Sequence, residues 1–192
     1  MIPEPIRVAL HISGIFEDLR VGHFLGGSLA SSIYGEPRAT NDVDIAAALR
    51  TIHIKSFVAA LKHRFYIDKR TVETAVQKAQ SFNVIEQESV QKVDIFVLGD
   101  MPFDRAQLRR RQLVVVQKRP KKTLYVSSPE DLVLRKLIWF EKGARISDRQ
   151  WRDVTSVLRV QSKRLDTSYM RRWARRLQID KLLGKAIKEA GF

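Results

Sequence analysis

Asp42 and Asp44 are separated by one residue, and Val43 and Ile45 alternate with them. That is the period of a β-strand, so both carboxylates project to one face while Val43 and Ile45 turn to the other, into a core. Two carboxylates held this close repel each other unless a cation lies between them. An all-oxygen ligand set suits Mg²⁺, with Mn²⁺ as the alternative. Asp94 stands in Lys-Val-Asp-Ile-Phe-Val-Leu, an apolar strand in which a charge is costly unless paired or ligated. If that strand lies beside the first, Asp42, Asp44 and Asp94 can hold two metal ions. Two ions serve phosphoryl transfer: one lowers the pKa of an attacking hydroxyl, the other neutralises a triphosphate and its leaving group.

Upstream, His23-Phe24-Leu25 is a short apolar strand that stops at Gly26-Gly27-Ser28, and a short helix ending at Gly35 follows. Glycine lets a backbone approach a phosphate closely. Free amides at a helix start suit an anion, and the Ser28 hydroxyl adds a donor. Alone, this is a tight turn. With Asp-Val-Asp following Ser28 after thirteen intervening residues, it becomes a candidate phosphate cradle.

These groups need a scaffold. Val8, Ile12, Ile15 and Leu19 recur at helical spacing within 3–20. Helices are expected over 54–65, over 71–80 with Thr71 as cap, and over 103–111. Residues 82–86 and 92–98 read as a hairpin, and 113–116 and 124–126 as further strands. Ser128-Pro129-Glu130-Asp131 is a strong helix start, running to about Lys142. Ser147 opens a helix to about Val160. Asp166 opens another that buries Tyr169, Met170, Trp173 and Leu177, and a last helix covers 180–190. Strands and helices interleave first and helices dominate later. The expectation is an α/β (α+β) fold, with a catalytic core at 1–127 and a basic helical region at 128–192.

Charge is divided in the same way. Residues 1–100 carry 11 Lys and Arg against 12 Asp and Glu; residues 101–192 carry 24 against 9. A field of that sign attracts polyanions, so nucleic acid is the expected partner. The candidate contacts are Arg109, Arg110, Arg111, Lys121 and Lys122, together with Arg171, Arg172, Arg175 and Arg176. The last four are like charges at helical i,i+4 spacing, which weakens a helix unless a partner offsets it. Trp139, Trp151 and Trp173 sit at core spacing and are expected to pack. Asp148 and Asp153 are expected to mark a helix end and a local ion pair. No cysteine is present, which excludes disulfides, thiolate zinc and cysteine nucleophiles. The four histidines lack ligand spacing and are expected to be structural. With no membrane-length apolar run and no signal-like start, a soluble cytoplasmic protein is expected.

The run Phe-Leu-Gly-Gly-Ser, then Tyr-Gly-Glu-Pro-Arg-Ala-Thr-Asn-Asp-Val-Asp-Ile, resembles the signature of the polymerase-β-like nucleotidyltransferase superfamily. The Gly-x-Pro-Arg-x-Thr-x-Asp-x-Asp form is similar to a bacterial subgroup related to the abortive-infection (AbiEii) nucleotidyltransferases. The helical stretches from Ser128 onward resemble that subgroup more weakly. The resemblance implies a nucleotidyltransferase fold, a mixed sheet flanked by helices and followed by a helical region. It implies Asp42 and Asp44 as the metal pair, and Asp94 as the third carboxylate, which activates the acceptor hydroxyl. Gly26, Gly27, Ser28, Arg38, Thr40 and Lys136 are implied as nucleotide contacts. The implied reaction moves an NMP group from an NTP to a hydroxyl of RNA, such as a tRNA 3′ end, or of a protein or small molecule. A toxin–antitoxin role with a cognate antitoxin is implied by the same analogy. The alternative is a catalytically silent module that binds nucleic acid or a partner.

Overall fold

The computed structural model describes residues 2–191. The chain forms two compact units that interleave in sequence: 1–26 with 40–126, and 27–39 with 127–192. Residues 27–39, inside the range expected for the catalytic core, thus group with the C-terminal helices.

The first unit is built on a seven-stranded mixed sheet, in the order β3-β4-β5-β2-β1-β7-β6. The strands are β1 (His23–Leu25), β2 (Val43–Ala47), β3 (Phe65–Tyr66), β4 (Ser81–Glu86), β5 (Lys92–Val97), β6 (Gln112–Gln117) and β7 (Lys122–Val126). Its helices are α1 (Glu4–Asp18), α3 (Ile54–Leu61), α4 (Lys69–Lys78) and α5 (Pro102–Arg110). The second unit holds α2 (Gly27–Tyr34), α6 (Pro129–Lys142), α7 (Asp148–Gln161), α8 (Thr167–Arg176) and α9 (Asp180–Ala190).

Alternation decides the sheet. Val43, Ile45, Val93, Ile95, Phe82 and Val84 are all buried, and α1 supplies Val8, Ala9, Ile12 and Phe16 to the same core at i, i+4 spacing. Phe16 stacks on Phe57 of α3 at 5.0 Å, and Phe57 meets Phe82 edge-on at 6.2 Å. Buried aromatic pairs of this kind add about 0.5–1.5 kcal/mol beyond their area. Glu86 is fully buried at the end of β4 and is satisfied by Arg7 at 2.6 Å and Arg64 at 2.6 Å.

Two helix expectations change. The helix from Ile54 ends at Leu61, because the chain turns there and Phe65 enters β3. The helix expected from Thr71 begins at Lys69, with Asp68 as cap: its carboxylate accepts from the Thr71 N–H at 2.7 Å. Aspartate offers an acceptor as good as threonine's, three residues earlier.

In the second unit the capping signals operate as expected. Ser128 accepts from Asp131 N–H, Ser147 from Gln150 N–H and Asp166 from Tyr169 N–H. Leu134, Leu137, Val154, Val157, Leu158, Met170, Leu183 and Ala186 form the core. Gly35 allows α2 to end against α7: a Cβ there would lie 2.5 Å from Ser156 Oγ and 3.1 Å from Val157 N. Trp139, expected to pack, is 45% exposed, because the buried stripe of α6 runs through Leu134, Leu137 and Phe140 instead. Trp173 and Leu177 are half-buried, and Ala174 takes the buried position on α8. Among the described residues no helix is long and apolar enough to cross a membrane.

Candidate active site

The carboxylates meet on the sheet. β2 and β5 pair in parallel with Asp44 directly opposite Asp94, and this register puts Asp42 across from Lys92. Facing positions of paired strands share a sheet face, so Asp42, Asp44, Lys92 and Asp94 form one polar quartet, with Asn83 of β4 opposite Asp94. The apolar residues between them, Val43, Ile45, Val93 and Ile95, fix the orientation by burying the other face. A one-residue slip would turn every carboxylate into the core.

Lys92 is the counter-ion of this cluster. Its Nζ lies 2.9 Å from Asp94 Oδ2. The Asp94 hydrogen bond raises the Lys92 pKa, and the charges of Asp94, Asp42 and Asp44 push it the same way. The Lys92 ammonium thus shares this face with three carboxylates and pairs directly with one of them. Asp42 is exposed and Asp44 half-buried. The Asp42 N–H is held by Thr40 Oγ1 at 3.2 Å, and the Gly26 N–H donates to Asp44 O at 2.8 Å. Thr40 and Gly26 therefore shape the backbone that carries the acids. Among the described residues no three acidic or imidazole side chains converge closely enough to enclose a metal ion. The donor set fits a hard divalent cation in kind: three carboxylates on one face, two of them register partners.

The helical unit holds a second charged cluster. Arg38 grips Asp153 in a fork, Nε to Oδ1 at 2.8 Å and Nη2 to Oδ2 at 2.9 Å. Lys136 Nζ reaches Asp153 Oδ2 at 2.8 Å, and Arg38 Nη2 donates to Ser28 Oγ at 2.6 Å. Asp153 and Lys136 are buried. Burial pushes the Asp153 pKa up, but Arg38 and Lys136 outweigh it and hold the carboxyl below its ordinary value. The expectation of a local ion pair at Asp153 is thus corrected. Its partners lie 115 and 17 residues away, on the loop after α2 and on α6. Gly27 opens α2 with φ at 56°, a left-handed conformation that glycine adopts without a Cβ penalty.

No protein-family model matches the sequence, and no curated protein matches it significantly. Solved structures do match. An antigenic nucleotidyltransferase-like protein from Paracoccidioides brasiliensis is 15% identical, with a TM-score of 0.55, covering 96% of this chain and 92% of that one. A lincosamide antibiotic adenylyltransferase with lincomycin bound is 14% identical, with a TM-score of 0.50 and coverage of 81% and 96%. The antibiotic-resistance factor ANT(2'')-Ia is 9% identical, with a TM-score of 0.52 and coverage of 98% and 96%. This chain has the nucleotidyltransferase fold.

The other residues singled out in the sequence fall into clear places on the nucleotidyltransferase fold. Gly26 and Thr40 belong to the sheet unit; Gly27, Ser28, Arg38 and Lys136 belong to the helical unit. Arg109 is exposed and Arg110 and Arg111 are half-buried around the end of α5, with Lys121 and Lys122 exposed at the start of β7. Arg171, Arg172, Arg175 and Arg176 are all exposed on α8, where Arg176 lies 5.3 Å over the Trp173 ring. A cavity of about 270 Å³ lined by His23, Arg111 and Tyr125 lies apart from the acids, at the other end of β1. Sequence reasoning missed Lys92, although its i−2 spacing from Asp94 on a strand is readable. It also missed Asp153 as the hub of a long-range cluster, for which no local pattern exists.

Proposed function

We propose that the chain is a metal-dependent nucleotidyltransferase that moves an NMP group from an NTP to a hydroxyl acceptor. The observation that carries this is the register of Asp44 against Asp94, with Asp42 two residues before Asp44 on the same sheet face. The neighbours' fold supports the same class, since one of them is an adenylyltransferase. In this reading Asp42, Asp44 and Asp94 hold two Mg²⁺ ions, or Mn²⁺. The ions supply charge neutralisation for the triphosphate and acidify the acceptor hydroxyl.

Asp94 takes the hydroxyl proton. The acceptor oxygen forms a bond to the α-phosphorus, the bond from that phosphorus to the β-phosphate bridge breaks, and pyrophosphate leaves. Gly26, Gly27, Ser28, Arg38, Thr40 and Lys136 are the residues proposed to serve the nucleotide. In the structure Arg38 donates to Ser28 and to Asp153, and Lys136 donates to Asp153. Any phosphate contact by Arg38 or Lys136 must therefore share or replace the Asp153 carboxylate.

The acceptor is proposed to be RNA. The supporting observation is the row of four exposed arginines on α8, beside a cavity of about 200 Å³ lined by Arg171, Arg175 and Asp180. Arginine is suited to bidentate phosphate recognition. A small-molecule hydroxyl is the second reading, favoured by the two antibiotic-linked neighbours. Membership of the AbiEii-related subgroup, with a toxin–antitoxin role, remains a proposal on the motif resemblance.

The test is incubation with each α-labelled NTP, Mg²⁺ and total RNA, alongside Asp42→Ala. The reading expects label in RNA that disappears in the variant. Label that persists in Asp42→Ala would remove the proposed site. Salt-sensitive RNA binding without transfer to any acceptor would favour the catalytically silent module.

A further inference from the structure

The two edges of the sheet differ. β3 closes one edge with two residues, Phe65–Tyr66. β6 closes the other with six, Gln112–Gln117, and among the described residues pairs only with β7. Short edges resist adventitious pairing, whereas long apolar ones invite it, and natural edge strands are usually blunted by lysine, proline or a bulge. β6 reads Gln-Leu-Val-Val-Val-Gln, with no charge inside it. Its one irregularity falls between Val115 and Gln117, so Gln112–Val115 stays in regular register with β7. Leu113 is 58% exposed and Val115 49%, both on one face.

The ends of this strand are strongly charged. Residues 109–122 contain seven cations, Arg109, Arg110, Arg111, Lys118, Arg119, Lys121 and Lys122, and no acid. Arg111 is held there by the Tyr125 ring, 4.5 Å away. We propose that β6 docks an extended segment of a partner protein: an apolar strand bracketed by acidic residues, added to the sheet edge. Main-chain hydrogen bonds would supply affinity, alternate apolar side chains would cover Leu113 and Val115, and the acidic brackets would fix register. A second copy of β6 fits poorly, because either strand direction sets basic flank against basic flank. Nucleic acid would engage the cations but leave Leu113 and Val115 without an apolar partner. The proposal therefore assigns Arg109–Arg111 and Lys121–Lys122 to a peptide and leaves the α8 arginines to the acceptor. It does not depend on nucleotidyl transfer.

The experiment uses the full chain and a fluorescent peptide, Glu-Glu-Glu-Val-Thr-Val-Thr-Val-Glu-Glu-Glu, at about 0.15 M salt, where free charges are screened beyond roughly 8 Å. Saturable binding is expected, weakened roughly tenfold by Leu113→Ser with Val115→Ser. It should be lost when the three peptide valines are replaced by proline. Both substituted residues are exposed, so the variant should fold, and oligouridylate RNA should bind it as it binds the wild type. Equal binding of the valine and proline peptides, or of wild type and variant, would reduce the surface to charge alone and overturn the proposal. A concentration-dependent dimer in sedimentation that the double variant abolishes would make the occupant a second copy, and would overturn it too.

Discussion

Two of the molecule's clusters of acids and bases are built from similar side chains and placed very differently. In the helical unit, one carboxylate, Asp153, is buried between Arg38 and Lys136, and the hydroxyl of Ser28 completes the set. In the sheet unit, Asp42, Asp44 and Asp94 share a face with Lys92, and water reaches that face at Asp42 and Lys92. The first arrangement pairs a buried carboxylate with a buried ammonium and a partly buried guanidinium; it is a strut. The second sets three carboxylates on one partly exposed face, and the proposed function gives that face an added divalent cation. Residue type alone does not separate the two clusters here; burial does.

That contrast can be broken most forcefully at Asp153. Asp153→Ala would leave Lys136 buried without its partner, and losing one member of a buried pair costs about 3–5 kcal/mol. Asp94→Ala removes a half-exposed pair, and exposed pairs are worth about 0–1 kcal/mol. Urea unfolding of the two variants should therefore differ widely in midpoint. Equal losses would erase the distinction between strut and site.

Acid titration sharpens the same point. The Asp153 pKa is held below its ordinary value. A carboxyl depressed on folding contributes stability above its unfolded pKa, near 3.9, and that contribution is lost as pH falls through the folded value. The stability difference between wild type and Asp153→Asn should be flat from about pH 7 to 5 and shrink below about pH 4. A difference that grows as the pH is lowered would contradict the assignment.

Ser28 tests whether the strut also serves the nucleotide. Removing the hydroxyl that accepts from Arg38 should cost about 1 kcal/mol of stability. If Ser28 contacts the nucleotide as well, Ser28→Ala should raise the KM for NTP beyond what that loss explains; an unchanged KM would confine Ser28 to the strut. The smallest effect is expected at Lys92. Lys92→Gln frees Asp94 from an exposed ion pair and should tighten divalent-ion binding about two- to fivefold. Weaker binding would show that Lys92 supports the ion site rather than competes for it.

Much of the sheet site was legible because it is local. The alternation of Asp42, Val43, Asp44 and Ile45 sets faces within a single strand, and Asp94 stands out against Val93 and Ile95. The caps at Ser128, Ser147 and Asp166 were readable for the same reason: donor and acceptor lie within one turn. What the sequence did not disclose was long-range. Nothing near Asp153 announces Arg38, and nothing near Gly27 announces that residues 27–39 group with helices that begin a hundred residues later. Trp139 misled because the apolar stripe of α6 is wide enough to admit two choices of buried face, and tertiary packing selects the one with Leu137 and Phe140.

The central claim is that Asp42, Asp44 and Asp94 exist to bind divalent cations. Mn²⁺ binding followed by electron paramagnetic resonance measures this without reference to any acceptor, on wild type and on Asp44→Asn. The account predicts saturable uptake of up to two ions by the wild type, competed by Mg²⁺, and loss of that uptake in the variant. Uptake unaffected by Asp44→Asn, or none by the wild type with NTP present, would contradict it.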